Sequence, residues 1–197
     1  MKDKFFATLD IEYTSYKGSL ARNWSLPYEF PEVVEIGVTK FKSLNSNNIK
    51  TINLIFEIER KNLSFYFQKL TNINQNYFNN FSKKPENQYK KLDYFLKDVK
   101  KIYCIGADKE IIKKNLKKKK LNFNFHEKII DIRPTLAKIL NKKEVEIVSS
   151  KLLTILEEKE KFKAHRALDD AKSVWLCLKK ILKKFEISEK ELIDMLS

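Results

Sequence analysis

The sequence predicts an α/β fold: a mixed five-stranded sheet, antiparallel in strands 1–3 and parallel in strands 4–5, flanked by helices. Three observations lead there. Three segments with a two-residue apolar period follow one another before residue 60, and short apolar runs alternate with helical periods after them. The chain has 197 residues, 43% hydrophobic and 34% charged, which is the size and balance of a single folded core.

Each element has its own signal. FFATLDIEY, Phe5 to Tyr13, sets Phe6, Thr8, Asp10 and Glu12 on one side and Ala7, Leu9, Ile11 and Tyr13 on the other, as a strand does. VVEIGVTKF, Val33 to Phe41, and INLIFEIE, Ile52 to Glu59, repeat the alternation, and three sequential strands suggest an antiparallel meander. Apolar residues then recur every three or four positions through LSFYFQKL and QYKKLDYFLKDV, predicting helices. KIYCIGA, Lys101 to Ala107, reads as a buried strand, and Asp108 stands at the N-cap position of the helix KEIIKKNLKK. NFHEKIIDI supplies a fifth strand, and Pro134 is placed to open the helix TLAKIL. Strands alternating with helices in this half argue for parallel pairing. SSKLLTILEE, ALDDAKSVWLCLKKILKKF and SEKELIDML close the chain as helices. With no repeat or linker in view, one domain over 1–197 is expected, its core about 5–185 and its last helix about 188–196.

Composition excludes several chemistries. With only Gly18, Gly37 and Gly106, neither a Gly-rich phosphate loop nor a dinucleotide fingerprint can be assembled. Cys104 and Cys177 lie far apart in apolar contexts without CxxC spacing, so no disulfide framework or zinc site is expected. No apolar run approaches the roughly 18 residues of a membrane span, and a soluble cytoplasmic protein is expected. The formal net charge is +14, from 40 Lys and Arg against 26 Asp and Glu, a field that favours polyanions such as nucleic acid. A coding bias toward Lys and Asn would produce the same charge, and KKNLKKKK reads equally as a solvated helix face.

The carboxylates carry more information. Asp10 and Glu12 project from the same face of a strand, near its carboxyl end, where open α/β sheets usually place ligands. Two such acids repel unless a cation lies between them or one takes up a proton, although a strand face paired to lysines also accommodates them. In AHRALDDAKS, Ala164 to Ser173, a step of about 100° per residue puts Asp170 on the apolar stripe of Ala167, Val174, Cys177 and Ile181. Asp169 falls among Lys172, Ser173, Lys180 and Lys183, an ordinary solvated face. A carboxylate on a core-facing stripe costs free energy that a divalent metal would offset, so Asp170 is the candidate ligand. His165 precedes the helix, within reach of the same site or simply as a cap or packing residue.

Taken together, these pieces resemble the DEDDh exonucleases, which include the proofreading exonuclease of bacterial polymerases, oligoribonuclease and the exoribonucleases related to the enhanced-RNA-interference protein. The resemblance runs from Phe5 to about Leu182. It comprises Asp10-Ile11-Glu12; EVVEIGVT, Glu32 to Thr39, similar to the family's EIIEIGAV; KLTNI, Lys69 to Ile73, similar to its Leu-Thr-Gly-Ile turn with Asn72 for glycine; and His165 followed five residues later by Asp170. The family's second acidic motif falls on Asp108 in CIGADKEII, with Ala107 where an aromatic is usual and Glu110 as a poorer substitute.

The resemblance implies a ribonuclease-H-like domain and a metal-dependent 3′→5′ exonuclease that releases nucleoside 5′-monophosphates from single-stranded ends. Asp10, Glu12, Asp108 and Asp170 would hold two divalent ions, Mg²⁺ or Mn²⁺, and His165 would act as general base. The segment Tyr13 to Glu32 is far longer than a hairpin needs and carries Tyr13, Arg22 and Trp24, suited to stacking on bases and meeting phosphate, or to packing on the domain. Ile11, Leu70 and Thr71 complete the candidate substrate contacts. A similar Trp-containing loop in bacterial enhanced-RNA-interference-like members makes these the nearest resemblance and favours RNA over DNA. Two alternatives accompany this reading: a non-catalytic nucleic-acid-binding module of the same fold, and an oligoribonuclease-like enzyme for very short RNA.

Overall fold

The structure, a computed structural model, describes residues 5–158 and 162–197. Residues 1–4 and 159–161 of the expected domain lie outside that description. A five-stranded sheet has the order β3-β2-β1-β4-β5. Its strands are β1 (Phe5–Tyr13), β2 (Val33–Phe41), β3 (Ile49–Ile55), β4 (Val99–Cys104) and β5 (Ile129–Asp131). β1 pairs antiparallel with β2 and β2 with β3, whereas β1 pairs parallel with β4 and β4 with β5. The mixed sheet is therefore as the sequence predicts.

The helices are α1 (Phe65–Thr71), α2 (Gln75–Phe81), α3 (Pro85–Leu96), α4 (Asp108–Lys118), α5 (Arg133–Ile139), α6 (Leu152–Ile155), α7 (Ala167–Lys184) and α8 (Glu189–Met195). The period of β1 divides most of them between two layers, while Phe67 of α1 and Phe78 of α2 pack with Val34 and Ile55 in a third cluster. Ala7, Leu9 and Ile11 bury against Leu92 and Leu96 of α3 and Ile112 and Leu116 of α4. On the other face, Phe41 and Tyr103 pack with Leu136 of α5, Val174, Cys177 and Ile181 of α7, and Leu192 of α8, with Phe6 against them. The fully buried side chains of this second cluster include Val174, Cys177, Leu178 and Ile181, one stripe of α7, which is why that helix forms and where it points.

Several boundaries depart from expectation. β3 starts at Ile49 and ends at Ile55 rather than running to Glu59, because Glu57 N–H donates to the Lys83 carbonyl and Phe56 bridges to Lys83. The fifth strand is only three residues long, since Phe125–Lys128 forms a 3-10 turn that buries Phe125. SSKLLTILEE is broken into a 3-10 turn at Ser149–Lys151 and the short α6. α2 arises in the Asn-rich stretch QNYFNNF, for which the sequence suggests no element; Asn74 caps it by accepting from Tyr77 N–H.

Three contacts fix the start of α7 on the sheet. Gly37 has no side chain where the helix passes: a Cβ there would lie 2.1 Å from Leu168 N and 2.2 Å from Ala167 C. Glu35, fully buried, accepts from Ala167 N–H at 3.0 Å and from Arg166 Nη2 at 2.9 Å. Thr8 Oγ1 donates to the Ala171 carbonyl at 2.7 Å.

Candidate active site

β1 delivers Asp10 and Glu12 to the α7 side of the sheet, and the contacts at Gly37, Glu35 and Thr8 bring Asp170 to them. All three are buried, at 7%, 9% and 4% exposure. From the opposite flank, Asp108 arrives at the start of α4, 6% exposed. Here the structure corrects the sequence reading: the N-cap is Ala107, Asp108 is the first helical residue, and its side chain makes no cap hydrogen bond. Its Oδ2 is buried without a hydrogen-bond partner, and the residue lines the cavity that it shares with the other acids.

His165 lies in the loop before α7 with a left-handed backbone, φ 59°, and is half-buried. Its backbone N–H donates to Asp170 Oδ2 at 3.1 Å. That bond and the turn at His165 direct the imidazole toward the acids: ligand atoms of Glu12, His165 and Asp170 all lie within 4.8 Å of one another. Asp169 is half-exposed, 4.0 Å from Lys172, as the helical period indicates, while Ser173 of that expected solvated face is buried, its hydroxyl returned to the Asp169 carbonyl.

The electrostatics of the cluster are unfavourable without a cation. Burial, then repulsion from Asp108, Asp170 and Glu12, pushes the Asp10 carboxyl well above the usual range, against a hydrogen bond from Ser149. Glu12 is raised likewise by burial, then by Asp170 and Glu35, with Arg166 opposing. Asp108 is raised by burial, then by Asp131, with Arg133 opposing. Burial and the Lys151 ammonium hold His165 below its ordinary value, which favours a neutral imidazole near pH 7. Four hard carboxylates beside one imidazole, one carboxylate oxygen unpartnered, are a donor set that fits Mg²⁺ or Mn²⁺.

The acids floor a cavity of about 670 Å³ that also meets Ile11, Tyr13, Trp24 and Leu70. Trp24 is tied down by its indole N–H, which donates to the Thr14 carbonyl at 3.1 Å, and its ring lies 5.4 Å from that of Tyr13. Burial and the neighbouring acids push the Tyr13 phenol up to about 12, so it remains a hydroxyl donor. Ile11 borders the cavity, but its side chain belongs to the core beneath α3 and α4.

Two expected substrate contacts sit elsewhere. Arg22 is held within its loop, its guanidinium 2.5 Å from Glu29, and does not reach the cavity wall. Thr71 is fully buried; its hydroxyl donates to the Phe67 carbonyl and accepts from Ile73 N–H, closing the turn in which Asn72 takes the left-handed conformation, φ 57°.

Sequence reasoning missed three residues that matter here. Ser149 donates to Asp10 Oδ1 at 2.8 Å. Glu35 secures the start of α7, and Arg133 stands in the cavity beside Asp108. Only Glu35, a charged residue within the apolar run VVEIGV of a buried strand, carried a local signal.

Solved structures of similar fold include the nuclease domain of 3′hExo, a DEDDh family member, bound to rAMP, with a TM-score of 0.78 and 18% identity over 92% of each chain. Cell-death related nuclease 4 gives 0.75 and 15% identity, covering 93% of this chain and 65% of that one. The E. coli exonuclease I–ssDNA complex in its zinc-bound form gives 0.68 and 10%, covering 97% of this chain and 42% of that one. These likenesses establish the ribonuclease-H-like exonuclease fold. A search of curated protein sequences returned no match. The sequence model of the exonuclease family matches residues 8–176, from β1 into the second half of α7 and across the whole acid cluster. This chain belongs to the RNase T exonuclease family.

Proposed function

We propose that this nuclease is a metal-dependent 3′→5′ exonuclease of the DEDDh type, acting on single-stranded ends and on RNA ahead of DNA. The observation that carries the reading is the convergence of Asp10, Glu12, Asp108 and Asp170, all buried, with His165 on one cavity. A binding module has no use for four buried, mutually repelling acids, which weakens that alternative.

Asp10, Glu12, Asp108 and Asp170 would hold two divalent cations, which supply a hydroxide nucleophile at neutral pH and neutralise charge developing on the scissile phosphate. The neutral imidazole of His165 accepts the proton of the attacking water, and Asp170 fixes the loop that presents it through the backbone bond at 3.1 Å. Ser149 holds Asp10 in one rotamer. Tyr13 and Trp24, their rings in tilted contact at 55° along the wall, offer a surface for an unpaired base. The rAMP bound to 3′hExo and the Trp24 loop favour RNA, and the enhanced-RNA-interference-like exonucleases remain the proposed nearest kin.

We further infer that the chain works as one exonuclease domain, since Leu192 of α8 and the following Leu196 pack into the α7-side core. Buried, free Cys104 and Cys177 are in keeping with a reducing cytoplasm, and among the described residues no helix is long and apolar enough to cross a membrane.

The test is a 5′-labelled single strand incubated with Mn²⁺, as RNA and as DNA of one sequence, at lengths from dinucleotide upward. A ladder shortening from the 3′ end, lost in Asp10→Ala, is expected. No shortening, or shortening that Asp10→Ala retains, refutes the reading, and activity confined to the shortest RNAs would make it oligoribonuclease-like.

A further inference from the structure

The sequence contains four arginines among 40 basic residues: Arg22, Arg60, Arg133 and Arg166. Three have a partner for the guanidinium. Arg22 meets Glu29, Arg166 meets Glu35 and Tyr77, and Arg60 lies over the Tyr28 ring. Arg133 is the exception: its Nε is buried without a hydrogen-bond partner, and its guanidinium forms no ion pair with a described carboxylate.

Arg133 is nonetheless held in place. Asp131 Oδ1 accepts from Gly106 N–H at 2.8 Å and from Arg133 N–H at 2.9 Å, joining the β4–α4 turn to the start of α5. Gly106, at φ 98°, leaves the space the guanidinium occupies: a Cβ there would lie 1.9 Å from Arg133 Nη2. A cation half-buried in the cavity wall, over a glycine that makes room for it and next to Asp108, keeps hydrogen-bonding capacity that no described carboxylate takes up. An ion pair with Asp108 would have explained it, but none is formed.

We propose that Arg133 binds a non-bridging oxygen of a substrate phosphate beside Asp108 and so sets the register of the strand over the acids. This rests on the nuclease reading of the same cavity. The planar guanidinium matches phosphate oxygens in a two-point contact, which a lysine ammonium does not reproduce. It also supplies positive charge where a polyanion must approach four carboxylates. Arg133 is then a substrate-binding residue whose loss affects KM and strand affinity more than kcat.

The experiment is fluorescence anisotropy of a 5′-labelled single strand with Ca²⁺ in place of Mg²⁺, using strands in which each of the last three linkages in turn carries a neutral methylphosphonate. For the wild-type protein, one replacement is expected to weaken binding about tenfold, the scale of one charged hydrogen bond. Arg133→Gln is expected to bind the unmodified strand about tenfold more weakly and to respond to that same replacement by less than about twofold, the usual error of additivity. Arg133→Lys, which keeps charge but not the fork, falls between the two, and it carries the same cycle should thermal melting show that the Gln variant is unfolded. Equal methylphosphonate penalties in wild type and variant overturn the assignment while leaving the nuclease reading intact. Failure of the wild-type protein to bind the strand at all overturns both.

Discussion

Gly37→Ala tests how the acid cluster is assembled. Gly37 sits in regular β2, paired with Asp10, so alanine brings no backbone strain and the only new feature is a methyl group. That methyl would lie 2.1 Å from Leu168 N and 2.3 Å from Leu168 Cα, both backbone atoms of α7 that no side-chain rotation can clear. Restoring the 3.4 Å of an ordinary contact moves the start of α7 by at least about 1.3 Å, with Asp170 only two residues further on. Overpacking of this kind costs about 1–3 kcal/mol, or roughly 2–12 °C in melting temperature for a chain of this size. A displacement of about 1 Å at a reacting centre costs on the order of a hundredfold in rate, so kcat with Mn²⁺ should fall about that far. The control is Val38→Ala, which removes methyl groups on the opposite side of β2, under α3 and α4, and should lower the melting temperature comparably with little change in kcat. If Gly37→Ala melts early yet turns over at the wild-type rate, the approach of α7 to β2 does not set the site. If neither quantity moves, the close contact itself is wrong.

The neighbouring acids of α7 separate cleanly. Asp170→Asn should lower kcat/KM by at least about a thousandfold, the several kcal/mol expected of a lost metal ligand, whereas Asp169→Asn, half-exposed beside Lys172, should leave it within about twofold; steady-state kinetics decides, and equal losses would refute the helix geometry. Ser149→Ala removes the hydrogen bond that orients Asp10, and Mn²⁺ affinity measured by calorimetric titration should weaken about 10–100-fold, with unchanged affinity counting against that role.

Much of this protein is legible in its residues because the signals are local. A two-residue period placed Phe6, Thr8, Asp10 and Glu12 on one face of β1, and the structure keeps Asp10 and Glu12 on that face. The stripe of α7 singled out Asp170 from Asp169 through angular geometry alone. Boundaries were less legible where long-range hydrogen bonds compete with the local pattern, as when Lys83 draws Glu57 away from the sheet. Asp108 shows the limit most clearly: a residue after a strand and before a helix reads as a cap, and only the surrounding acids show that its carboxylate faces inward.

The sequence by itself determined the sheet order's ingredients, the faces of β1 and α7, and the types of residue available for metal chemistry, because each depends on the repeat of a single element. Tertiary structure alone decided which residues meet. Gly37 matters because a helix 130 residues later crosses it, Ser149 because its loop returns to Asp10, and Arg133 because Gly106 leaves it room without giving it a partner. Close approach, buried charge and an unpaired donor are properties of separations in space, and no periodicity along the chain encodes them.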